Sequence, residues 1–187
     1  MPQTILEKEK KKYTYEDYLK IPEDKRFELI EGELIMTPSP ITLHQRVLRE
    51  IGFELLKHVK GFELGEVFYA PYDVYLDEEN VIQPDILFVS KERLRIIGEK
   101  NVQGAPDLVI EIISEHSAYR DLVQKKSLYA QHGVKEYWVV VPDKEIVEVY
   151  VLRETLYELH KTFRKGEFLD SPTFPDFRIG LTNVFEG

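Results

Sequence analysis

Asp107-Leu108-Val109-Ile110-Glu111-Ile112-Ile113-Ser114 is aliphatic throughout its middle except for one acid. A run of that kind predicts a strand covered on both faces, the pattern of a sheet with helices packed on it. Working forward, Ala118 to His132 reads as a helix stopped by Gly133, a residue suited to the left-handed turn after a helix. Glu136 to Val141 reads as a second buried strand. Glu145 to Leu152 and Thr155 to Phe163 alternate and read as outer antiparallel strands.

Working backward, Val81 to Val89 and Glu66 to Tyr75 predict two strands, joined by a turn at Asp77-Glu78-Glu79-Asn80. Lys91 to Ile97 reads as a short helix. Ile41 to Val59 is the clearest amphipathic helix, with Val47, Leu48, Ile51, Leu55 and Val59 at helical spacing. Phe27 to Ile30 and Leu34 to Met36, around Glu31-Gly32-Glu33, predict a hairpin with Gly supplying the turn. Thr14 to Asp17 opens a short helix that ends near Ile21-Pro22. The expectation is one α+β or α/β domain over 13–187, a mixed central sheet flanked by helices, with extra antiparallel strands at the C-terminus. Residues 1–12 are polar and Lys-rich, without the apolar core of a secretory signal, and read as a flexible lead-in.

Composition narrows the function. With 187 residues and 43% hydrophobic content the chain can bury one core. The absence of cysteine removes disulfides, thiolate zinc and cysteine nucleophiles together. No window is apolar enough for a membrane helix, so the expected location is the cytoplasm. A net charge of -9 counts against strong nonspecific binding of duplex DNA, because phosphate neutralisation supplies most of that affinity. A localised basic strip remains compatible with it.

Glu111 is the most informative residue. An ionised carboxylate among aliphatic neighbours costs several kcal/mol (roughly) unless it is paired or binds a cation. The readings are a metal ligand, an acid paired with a buried Lys or Arg, or an acid at the strand's exposed end. Asp85, between Pro84 and Ile86-Leu87-Phe88-Val89, is a second acid in an apolar strand. If the two strands are neighbours and both carboxylates share a face, they converge enough to share a hard cation such as Mg²⁺; the other reading is Asp85 as a turn-forming strand cap. Asp121, Lys125 and Tyr129 lie four apart along one helical stripe, which also suits an ordinary stabilising pair. Lys126 competes with Lys125, being nearer the middle of that helix's apolar face. His44 lies in line with Leu48, Ile51 and Leu55, as a core histidine or a site residue. Glu31 either points toward the same centre or serves the turn. No phosphate-loop, dinucleotide, HExxH or GxSxG motif is present.

Several blocks in order resemble the Uma-type restriction-endonuclease-like family. They are Phe27 to Ile35, Pro38-Ser39-Pro40 with His44, Gln83-Pro84-Asp85-Ile86, Pro106 to Ser114, Asp121 with Lys125 and Tyr129, and Gly133 to Val140. The resemblance runs from about Tyr13 to the C-terminus and implies the PD-(D/E)xK phosphodiesterase fold. It assigns Asp85 and Glu111 as the two acids, and the Ile112 carbonyl as a further ligand to Mg²⁺ or Mn²⁺. Position 113 is Ile where that superfamily places its lysine; the family pattern moves the lysine to Lys125 on the next helix. Ser114-Glu115-His116-Ser117 departs from the family's usual Ser-Pro-Ser-Thr. Glu31, His44, Asp121 and Tyr129 are then expected to orient the acids and the lysine. The activity implied is metal-dependent endonucleolytic hydrolysis of nucleic acid, DNA foremost, with a homodimer suited to double-strand cutting. The alternatives are a noncatalytic binding module on the same fold, or a phosphoesterase for another substrate.

Overall fold

The computed structural model describes residues 11–22, 25–113 and 118–186, without the side chains of 118–122. The short helix α1 (Tyr15–Tyr18) precedes the hairpin β1 (Phe27–Ile30) and β2 (Glu33–Met36). Its two-residue turn has Glu31 and Gly32 both at positive φ, 52° and 78°, the twist that antiparallel strands require of a tight hairpin. Helix α2 (Thr42–Gly61) follows, then β3 (Gly65–Tyr69), β4 (Asp73–Asp77), β5 (Asn80–Ile82), β6 (Ile86–Ser90) and the 3₁₀ turn Lys91–Ile96. Next come β7 (Asn101–Gln103), β8 (Leu108–Ile112), helix α3 (Ala118–His132) and β9 (Glu136–Val141). The C-terminal part holds β10 (Ile146–Arg153), β11 (Leu156–Arg164), β12 (Phe168–Asp170), β13 (Arg178–Gly180) and α4 (Leu181–Glu186). Of the expected lead-in, residues 1–10 lie outside the described residues; Lys12 pairs with Glu79 at 2.6 Å on the surface.

The architecture is a mixed α+β fold. A six-stranded sheet runs in the order β11-β10-β9-β8-β6-β3, with β8 and β9 parallel and the other pairs antiparallel. Helix α3 makes the crossover between the parallel strands, which a hairpin cannot join. A five-stranded sheet, β2-β1-β5-β4-β7, stands beside it. Two expected strands were each too long. The stretch 66–75 divides into β3 and β4, and 81–89 into β5 and β6, with the members of each pair in different sheets. The breaks fall at Pro71 and Pro84, whose missing N–H cannot enter a ladder. Asp85 therefore stands where the chain crosses from one sheet to the other.

Side-chain alternation divides the core between the faces of the larger sheet. Phe88, Ile110 and Trp138 pack with Val47, Ile51, Leu55 and Val59 of α2. Leu87, Val109 and Val139 pack with Leu128 and Tyr129 of α3. Asp85 shares a parity with Leu87, and Glu111 with Val109, so both acids belong to the α3 face. Ile30, Ile82 and Val74 of the smaller sheet join the same cluster, bringing β1 over that face.

The C-terminal segment is fastened by a carboxylate inside the protein. Glu136, 1% exposed, accepts hydrogen bonds from Trp138 Nε1 (2.6 Å), Ser171 Oγ (2.8 Å) and the Thr173 amide (2.7 Å). Truncation strands two buried donors and a half-buried one, so Glu136→Ala is expected to lower unfolding free energy by about 2–4 kcal/mol in urea titrations. A loss below about 1 kcal/mol would show that the segment docks without this anchor.

Candidate functional site

The register Ile86↔Ile110 of the antiparallel pair β6–β8, continued by one residue, sets Asp85 opposite Glu111. Both lie at the sheet end where β8 finishes. Asp85 Oδ2 accepts the Ile112 backbone N–H at 2.7 Å and meets His44 Nε2 at 3.1 Å. Asp85 thus caps the end of β8, with its carboxylate at the position facing Glu111.

Glu111 is 8% exposed. Its Oε1 accepts from Tyr129 OH at 2.5 Å and from Lys125 Nζ at 3.1 Å. The same Nζ donates to Glu28 Oε1 at 2.8 Å. Lys125 and Tyr129 are one helical turn apart, so α3 delivers both to a single oxygen. Lys126 points elsewhere, its Nζ 3.3 Å from the centre of the Tyr150 ring, a cation–π contact. The helix phase that periodicity could not choose is therefore settled by which face α3 lays on β8. The side chain of Asp121 lies outside the described residues.

Glu28 is the residue that sequence reasoning missed. It is 5% exposed in β1, and besides Lys125 it accepts the Gln83 backbone N–H at 2.8 Å. Its signal was the one that singled out Glu111, an acid inside an apolar run, here Phe27-Glu28-Leu29-Ile30. Glu31, favoured instead as an orienting group, does not reach the centre. It is an exposed turn residue whose carboxylate accepts from Gln124 at 3.3 Å. Period-2 alternation is the reason: Arg26, Glu28 and Ile30 line one cleft, and position 31 turns away.

That cleft, of about 190 Å³, is also lined by Asp85, Glu111, Ile112, Lys125 and His44. Burial dominates its electrostatics and pushes the Glu111 carboxyl up to about 7, with Lys125 pulling it down and Asp85 and Glu28 adding to the rise. Burial lowers Lys125, but Glu111 and Glu28 outweigh it and hold the ammonium well above its ordinary value. His44 likewise loses to burial and gains more from Asp85 and Glu111, so its imidazole titrates above the usual value. Among the described residues no three His, Asp or Glu side chains already converge on one cation position.

A family model described as "Putative restriction endonuclease", Uma2, matches residues 15–182. The chain belongs to the Uma2 family. Its fold is also that of a crystallised "putative nuclease belonging to DUF820" from Anabaena variabilis. The TM-score is 0.76 at 24% sequence identity, over 92% of this chain and 97% of that one. No curated protein matches it. Among the described residues no helix of this Uma2 chain is long and apolar enough to cross a membrane.

The raised Glu111 carboxyl has a consequence for stability whose sign can be stated. Below 4.5, its ordinary value, folded and unfolded chains both hold the proton; between 4.5 and about 7 only the folded chain does. Wild-type stability therefore falls as pH rises through that window and levels off above it. Glu111→Gln lacks this titration. In urea unfolding with EDTA, the stability of the variant relative to wild type is expected to increase from pH 4.5 to pH 7. A difference independent of pH would contradict the burial of this charge.

Proposed function

We propose that this chain is a metal-dependent endonuclease of the PD-(D/E)xK type, hydrolysing phosphodiester bonds in nucleic acid, with Asp85, Glu111 and Lys125 at its centre. The observation that carries the reading is the alignment of Asp85 and Glu111 across β6–β8, with a buried lysine on the second acid. A stability role alone gives no reason to gather three carboxylates at one cleft, since an apolar replacement of a buried ion pair is often no less stable.

The donor set fits Mg²⁺ or Mn²⁺. All its groups are hard oxygens, and Asp85 Oδ1 and Glu111 Oε2 accept no hydrogen bond from the described residues. Mg²⁺ commonly takes one or two carboxylates and keeps several waters, so a preformed set of three acids is not required. The Ile112 carbonyl is the third candidate ligand. When bound, the cation would lower the pKa of a water molecule and screen the phosphate.

The chain's own groups do the positioning. The Ile112 amide and His44 fix one oxygen of Asp85 and leave the other for the cleft. Tyr129 and Lys125 do the same for Glu111. Lys125, kept charged by its two carboxylates, offers a third hydrogen to a phosphate oxygen or to the attacking water. A second reading, a binding module without turnover, draws on the two carboxylates, Glu28 and Glu111, that already engage Lys125.

The test is cleavage of supercoiled plasmid and of oligonucleotides with Mg²⁺ or Mn²⁺. Wild type should nick, Asp85→Asn and Glu111→Gln should fall to background, and Tyr129→Phe should lose about 10–100-fold as an orienting group. Equal cleavage by wild type and Glu111→Gln, purified identically, would remove the nuclease assignment. Retained Mn²⁺ binding with no cleavage of any nucleic acid would favour the binding module.

A further inference from the structure

The cleft differs in character from floor to mouth. Its floor holds Glu28 and Glu111, nearly sealed from water at 5% and 8% exposure. Its mouth is apolar: Met36 and Ile41 are 66% and 59% exposed, with Pro38 and Pro40 exposed between them. Large apolar side chains left in water at the lip of a charged cleft mark a contact surface for something with an apolar face.

The walls point the same way. Six buried side-chain polar atoms among the described residues have no hydrogen-bond partner. Five of them, on Arg26, Thr37, His44, Gln83 and Tyr137, belong to residues of this cleft. Buried polar atoms are ordinarily paired, so such a concentration implies a polar group that the chain does not supply. Arg26 is the telling member, because its guanidinium forms no ion pair with a described residue. A cleft-lining cation without an ion pair is suited to a phosphate.

Size and charge decide the form of the nucleic acid. At about 190 Å³ the cleft is smaller than the roughly 300–1,000 Å³ of small-molecule sites, so it admits part of a nucleotide. The remainder must lie on the Met36–Ile41 lip. A continuous duplex keeps its base faces stacked inside and cannot offer them to that lip. It also carries twice the charge per unit length of one strand, toward a protein of net charge -9.

We propose that the cleft takes an unpaired nucleic-acid strand, its phosphate drawn in by Arg26 and Lys125 and its base laid on Met36 and Ile41. The inference rests on the phosphodiesterase reading for its phosphate. The apolar lip replaces the aromatic platform common in single-strand binders, as every base presents an apolar face.

The experiment is fluorescence anisotropy of the full chain with a labelled DNA strand of about 15 nucleotides and with the same sequence closed into a hairpin duplex. It is run in EDTA and again in Ca²⁺, a hard cation for oxygen ligands. The strand is expected to bind at least about ten-fold tighter than the duplex. The double variant Met36→Ser/Ile41→Ser, altered only at exposed positions, should bind the strand about ten-fold more weakly. Met36→Leu/Ile41→Leu should restore it. Equal or tighter binding of the duplex, or unchanged strand binding in the serine variant, would overturn the inference. Cleavage distinguishes its failure from that of the nuclease reading. Preferred cutting of duplex sinks the strand inference alone, whereas strand-selective binding without any cutting sinks the nuclease alone.

Discussion

Lys125 lies between Glu28 and Glu111, and the geometry of the cleft follows from that contact. Glu28 and Glu111 are both buried, and one ammonium 2.8 Å and 3.1 Å from their oxygens offsets part of the cost of burying them. The contact also ties three elements together: β1 of the smaller sheet, β8 of the larger, and α3 across them. Compensation is incomplete, as the raised titration of Glu111 shows. The cluster is therefore short of positive charge.

Asp85 arrives by a different route. Pro84 ends β5 and forbids a continued ladder, so the chain leaves one sheet and enters the other within a few residues. The first side chain after that crossing is Asp85, placed at the open end of β8, where the Ile112 N–H is available to hold it. A regular strand through 81–89 would have alternated the same residue into one sheet face, without the crossing that brings both sheets to the cleft. The break that Pro84 makes in the strand is thus what sets the first acid against the second.

Much of this was legible beforehand, and the parts that were not share a cause. Glu111 and Asp85 stood out because charge inside an aliphatic run is unfavourable wherever the fold places it. The choice between Lys125 and Lys126 was open to periodicity, because a helical wheel gives the apolar face but not the strand beneath it; family resemblance made that choice. Glu28 carried the same mark as Glu111 and was overlooked for Glu31. In a four-residue strand the inward parity is unknown until its partner is known. Strand β7, Asn101–Gln103, is too short and polar to announce itself, and it exists because β4 pairs with it in parallel.

A cation held by the buried acids, as proposed, would displace the proton that burial favours on Glu111. Isothermal titration of Mn²⁺ into wild type and Asp85→Asn, at pH 6 and pH 8 in buffers of differing ionisation enthalpy, tests it most directly. Wild type should bind more tightly at the higher pH and release a proton at the lower one, and Asp85→Asn should lose the binding. Equal Mn²⁺ affinity in the two proteins, or affinity that does not change between those pH values, would contradict the account.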